Sequence, residues 1–91
     1  MKLNVEMFGL SPFVDTNAVE VEVEGDSSLP RVIEALGHKL PALRGRVIDP
    51  DQNRLVENYG LYVNGQFVSG DEPVRLKASD RVVLILLATG G

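Results

Sequence analysis

The sequence predicts an α+β fold, a mixed β-sheet with one main helix packed on one of its faces. Three observations carry that prediction. Two alternating strands open the chain, an amphipathic helical stretch follows, and a run that is apolar on both faces comes last. A strand apolar on both faces suits the middle of a sheet. Pairing it with the first strand closes the layout around the helix.

In the opening stretch "KLNVEMF", Leu3, Val5 and Met7 fall on one face, and Asn4, Glu6 and Phe8 on the other. "GLSPFVDTN" supplies the glycine, proline and asparagine of a loop. "AVEVEVEG" then turns Val19, Val21 and Val23 inward and Glu20, Glu22 and Glu24 toward water, which makes the pair an antiparallel hairpin. In "DSSLPRVIEALGHKLPALRG", Leu29, Val32, Ile33, Leu36 and Leu40 form one helical stripe. Ser28 is placed as N-cap, Pro30 sits in the first turn where no intrahelical bond is lost, and Pro41 ends the helix near Leu40. Gly37 inside it costs about 1 kcal/mol relative to alanine.

The stretch "RGRVIDPDQNRLVENYG" is less regular, with a turn at "DPDQN" and short extended pieces around Val47 and Leu55. "LYVNGQFV" carries Asn64-Gly65 between apolar alternations, a strong hairpin signal because both residues tolerate positive φ. "SGDEPVRLKASD" is a polar connection anchored by Leu76, and "RVVLILL" is the closing central strand. This order is that of the β-grasp, or ubiquitin-like, plan. It gives a domain over 1–87 and a flexible tail over 88–91, the latter because no side chain beyond Leu87 is large enough to anchor it.

Composition excludes several function classes. Thirteen acidic residues against nine basic ones leave a net charge of −4, and the arginines are scattered, so nucleic acid is not an expected ligand. Cysteine is absent and His38 is the only histidine, which removes thiolate catalysis and the usual zinc and iron–sulfur ligand sets. His38 reads as a solvated residue in the last helical turn. Asp49, Asp51 and Glu57 lie around a proline turn without a ligand-loop pattern and read as loop solvation, so no metal site is expected. Lys2, Lys39 and Lys77 read as surface lysines. No segment offers the ~20 apolar residues of a membrane helix, and "MKLNVEMFG" lacks the apolar core of a secretory leader. The expected setting is the cytoplasm, without a membrane partner.

The chain ends "ATGG". Together with "SSLPRVIEAL", "LRGRVIDPDQNRLVENYGLYVNGQFV" and the "LKASDRVV" lead-in, it resembles the MoaD/ThiS sulfur-carrier proteins over nearly its whole length. It departs from many members at Leu86 and Leu87, where prolines are common, in the first loop "LSPFVD" and in the turn "KASDRV".

The resemblance implies a cosubstrate rather than an enzyme, with no catalytic residues and no bound cofactor. The reactive group would be the Gly91 carboxylate, an anion at neutral pH and a poor electrophile. A ubiquitin-activating-type adenylating enzyme (MoeB/ThiF-like) would convert it to an acyl-adenylate with ATP, and a sulfur nucleophile would displace AMP to leave a thiocarboxylate. The sulfur would pass to an acceptor enzyme, with the large molybdopterin synthase subunit as the leading candidate. Thiamine, tRNA thiolation and cysteine synthesis stand as other pathways. Conjugation of Gly91 to lysines, as in a ubiquitin-like modifier, and a plain interaction module are the rival readings.

Gly90, Thr89 and Ala88 would thread the tail into the partner, since a Cβ at the end would obstruct a narrow adenylation site. Strand parity leaves Phe8, Phe67 and Ile85 opposite the helix-facing residues, where they are expected to form one patch that docks the partner.

Overall fold

Those alternations, the helical stripe and the turn residues come together in the computed structural model, which describes residues 1–24, 27–56, 58–68 and 74–87. Strand β1 (Lys2–Phe8) pairs antiparallel with β2 (Ala18–Glu22), with Leu3 opposite Val21 and Val5 opposite Val19. Helix α1 (Leu29–Lys39) follows, then a single 3-10 turn at Pro41–Leu43. Strands β3 (Ile48–Asp49) and β4 (Arg54–Leu55) make a small ladder of their own. Strands β5 (Tyr59–Val63) and β6 (Gln66–Val68) form the hairpin at Asn64-Gly65, whose φ values are 53° and 85°.

Strand β7 (Val82–Leu86) lies in the middle of the five-stranded sheet, whose order is β2-β1-β7-β5-β6. It runs parallel to β1, with Val5 beside Val82 and Phe8 beside Ile85, and antiparallel to β5, with Leu61 beside Leu84. The sheet is mixed and carries one helix, the β-grasp arrangement expected from the element order.

The helix begins and ends for local reasons. Ser28 has the extended backbone of an N-cap, although its hydroxyl makes no capping bond, and its carbonyl accepts the Val32 N–H at 3.1 Å. At the other end Leu40 leaves helical geometry while its N–H still bonds the Leu36 carbonyl at 2.8 Å, and Pro41 opens the 3-10 turn. Gly37 has a packing reason to be there. A Cβ on it would lie 3.3 Å from Cγ of Arg44, whose aliphatic stem crosses that point of the helix.

The core is built from the predicted faces of β1, β2, α1, β5 and β7, with Leu3, Val5, Leu29, Val82 and Leu84 wholly buried. Leu76 is buried as its anchoring role requires. Leu10, Leu43, Val47 and Ile48 are also core, although they come from the first loop and the irregular connection. Leu86, expected to face inward with Val82 and Leu84, is only half-buried and packs against Gly9, where a Cβ would approach the Leu86 Cβ to 2.9 Å. Among the described residues no buried polar side-chain atom lacks a hydrogen-bond partner, and no helix is long and apolar enough to cross a membrane.

Candidate functional site

The face of the sheet away from α1 carries the candidate site. On β1 it presents Glu6 and Phe8, on β7 Val83 and Ile85, on β5 Gly60 and Tyr62, and on β6 Phe67, as the alternation and pairing of the strands dictate. Phe8 and Phe67 are each 50% exposed, while Ile85, Tyr62 and Val83 are half-buried between them. Phe8 lies beside Ile85 in register, Ile85 beside Gly60, and Tyr62 beside both Val83 and Phe67. The three docking residues named from the sequence therefore share one face and belong to one continuous apolar surface.

Gly60 shapes that surface. A Cβ there would fall 2.6 Å from Cε1 of Phe67 and 3.1 Å from Cδ1 of Leu87. The Phe67 ring thus leans over the bare backbone of Gly60, with Leu87 against the same spot. It also meets the Tyr62 ring edge-on, with centroids 5.6 Å apart and planes at 69°, a favoured aromatic geometry. The Leu87 N–H donates to the Asn58 carbonyl at 2.6 Å, so the chain is held at the end of β7 by backbone as well as by packing. Asn58 has φ of 81°, the left-handed conformation that asparagine tolerates better than most residues.

Polar groups fix the other end of this face. Arg81 donates to both carboxylate oxygens of Glu6, through Nε at 2.7 Å and Nη2 at 3.3 Å. That hydrogen bonding, helped by the arginine charge, holds the Glu6 carboxyl below its ordinary range. Asn64 does more than turn the hairpin. Its amide donates to Asp80 at 3.0 Å, its side-chain oxygen accepts the Arg81 N–H at 2.9 Å, and its backbone N–H donates to the Arg81 carbonyl at 2.8 Å. Asp80 also accepts the Lys77 N–H at 2.8 Å. The bond from Asn64 first, and the one from Lys77 second, pull the Asp80 carboxyl below its usual value. The hairpin turn and the approach to β7 are one knot.

Ala88, Thr89, Gly90 and Gly91, the tail residues named from the sequence, lie outside the described residues, as does Glu57. His38, Lys2, Lys39 and Lys77 are exposed. Among the described residues no group of three or more metal-ligating side chains is assembled. Parity would have admitted Tyr62 to the patch, since it is the outward residue of β5. Gly60, Asn58 and the Arg81–Glu6 pair carry no such signal, because their roles arise only from contacts between strands.

A mixed five-stranded sheet with one helix on one face and an aromatic surface on the other defines a ubiquitin-like β-grasp protein. Residues 10–91 match the model of the ThiS family, and the chain belongs to that family of sulfur-carrier and ubiquitin-like proteins. SAMP1 from Haloferax volcanii is similar over the full length of both chains, with 25% identity and a TM-score of 0.81. A putative molybdopterin converting factor, subunit 1, from Pyrococcus furiosus is 23% identical with a TM-score of 0.71, over 96% of this chain and 98% of that one. The BexX/CysO complex of Amycolatopsis orientalis contains a chain 18% identical with a TM-score of 0.68, over 98% of this chain and 99% of that one. No curated protein matches the sequence.

Proposed function

We propose that this chain carries sulfur as a thiocarboxylate on Gly91 and supplies it to molybdopterin synthesis as the small subunit of the synthase. The observation that carries the reading is the reach of the family match, which runs through Gly91. The aromatic face lies where β7 leads toward that end, so one surface can seat a partner while the tail enters it. The Gly91 carboxylate attacks the α-phosphorus of ATP in an adenylating partner, and pyrophosphate leaves. Hydrosulfide, or a sulfur nucleophile that ends in the same product, then displaces AMP and forms the C–S bond. The protein is consumed and regenerated as a cosubstrate, and ATP belongs to the partner.

The molybdopterin assignment draws support from the likeness to the Pyrococcus converting-factor subunit. The full-length likeness to the Haloferax chain, a small archaeal modifier protein, favours a second reading in which Gly91 is joined to target lysines.

Incubation with an adenylating enzyme of the MoeB/ThiF type, ATP and a sulfide donor distinguishes these outcomes by intact mass. A mass gain equal to the exchange of one oxygen for sulfur, discharged on adding the large synthase subunit and its substrate, supports the carrier reading. Discharge by a different acceptor moves the pathway. Isopeptide-linked adducts without a thiocarboxylate move the function to protein modification. No change at Gly91 with an active enzyme leaves a plain interaction module.

A further inference from the structure

The outer edge of β2 is left unused by the carrier reading. This strand ends the sheet order, and a groove of roughly 650 Å³ runs between it and α1. Val21, Val23 and Ala35 line its apolar part, and on its helix side Arg31 is paired with Glu34 at 3.6 Å, beside His38 and Lys39. The pairing with β1 shows which backbone groups face outward. The Val23 N–H donates to the Met1 carbonyl and the Met7 N–H to the Asn17 carbonyl, each at 2.8 Å. Residues 17, 19, 21 and 23 therefore spend their polar groups on β1, and Glu20 and Glu22 turn theirs to the open edge, while the outward carbonyl and N–H of Ala18 are held by the Thr16 hydroxyl at 2.7 and 3.3 Å.

Charge selects what can add there. The side chains of Glu20 and Glu22 point away from the helix and are exposed, and Glu24 continues the exposed acidic row. Glu22 is offset by the Met1 ammonium group at 3.5 Å, with Lys2 opposite it in register, whereas Glu20 has no ion-pair partner among the described residues. A second copy added edge to edge would bring one glutamate row against another, and like charges facing across strands destabilise the pairing.

We infer that this edge receives an extended segment of a partner protein, with lysine or arginine at alternate positions and small apolar residues between them. The main chain of the added strand bonds to Glu20 and Glu22. Its basic side chains lie beside Glu20 and Glu22, and its apolar ones enter the groove over Val21 and Val23. Strands β1, β7 and β5 lie between this edge and Phe67.

A short capped peptide alternating lysine and valine, titrated into the full chain and followed by amide NMR shifts, tests the inference. Shifts centred on 20–22 and the facing side of α1 are expected. Replacing the peptide's lysines by glutamate should weaken binding by about tenfold, the worth of two exposed ion pairs. The Glu22→Pro variant removes an N–H that points outward, so β1 pairing survives and peptide binding is lost. Undiminished binding by that variant, equal binding of the glutamate peptide, or shifts confined to Phe8 and Phe67 would overturn the inference. Concentration-dependent shifts of β2 without peptide would also overturn it, by assigning the edge to a second copy. Should Glu22→Pro fail to fold, a peptide N-methylated on its edge-pairing residues serves instead, and full binding of that peptide counts against strand addition.

Discussion

Gly60 and Phe67 show how one missing side chain can govern a surface. Gly60 lies in β5 without a positive φ, so alanine is acceptable to the backbone there, and it reduces the freedom of the unfolded chain by about 0.4–1 kcal/mol. Against that stands the new Cβ at 2.6 Å from the Phe67 ring. The ring is half-exposed and can swing away, giving up an aromatic contact worth roughly 0.5–1.5 kcal/mol. The two effects nearly cancel in stability but not in shape. Gly60→Ala is therefore expected to unfold within a few degrees of the parent in thermal denaturation, a shift typical of about 1 kcal/mol, while binding the proposed adenylating partner more weakly. Phe67→Ala removes the proposed anchor outright. A truncated aromatic anchor typically costs ~2 kcal/mol, which is roughly thirtyfold in Kd, and calorimetric titration against the partner would measure it. An unchanged affinity for Phe67→Ala would remove this face from the docking scheme.

At the level of elements, the knot between the β5–β6 turn and the lead-in to β7 responds to acid in a defined direction. Glu6 and Asp80 both have folded-state carboxyls lowered from ordinary values of 4.5 and 3.8, by Arg81 and by Asn64 with Lys77 respectively. A lowered folded-state value means that the stabilisation is complete above the unfolded-state value and disappears as pH falls through the folded one. The parent is thus expected to lose more stability than a Glu6→Gln, Asp80→Asn double variant as pH drops from neutral to about 3, near the carboxylate range. Thermal unfolding at a series of pH values checks this, and parallel curves would show the two contacts to be energetically idle. Element placement was largely legible beforehand for physical reasons. The two apolar faces of β7 marked a central strand, Asn64-Gly65 tolerated the required positive φ, and Pro41 could not continue α1. The burial of Leu10, Leu43, Val47 and Ile48 was not legible, since these residues sit in segments too short or bent to show a period. Nor could Asn64 announce its bonds to Asp80 and Arg81, because only the folded sheet brings that side chain to residues so far along the chain.

For the whole molecule, packing and the proposed chemistry occupy separate parts of the chain. The core is assembled from described residues between Leu3 and Leu84, whereas the proposed reactive group belongs to Gly91. Deleting Gly91 is expected to leave the unfolding midpoint unchanged and to abolish ATP–pyrophosphate exchange by the adenylating enzyme. Normal exchange by that variant would sink the thiocarboxylate proposal while leaving the β-grasp assignment and family membership untouched. The edge of β2 answers to a separate peptide titration, so its outcome and that of the carrier proposal can be told apart.

The central position of β7 also bears on synthesis. β1 and β5 each hydrogen-bond to β7 and not to one another, so the two halves of the sheet have no shared ladder until Val82–Leu86 is available. On a ribosome the first hairpin and the helix emerge long before their keystone, and such long-range parallel pairing is intrinsically slow. A nascent chain stalled ahead of Val82 would expose Leu3, Val5 and Leu61 and would offer chaperones and proteases an open, half-made sheet. A product that stops short of β7 cannot assemble the face bearing Phe8, Ile85 and Phe67, because the strand that joins the two halves of the sheet is missing.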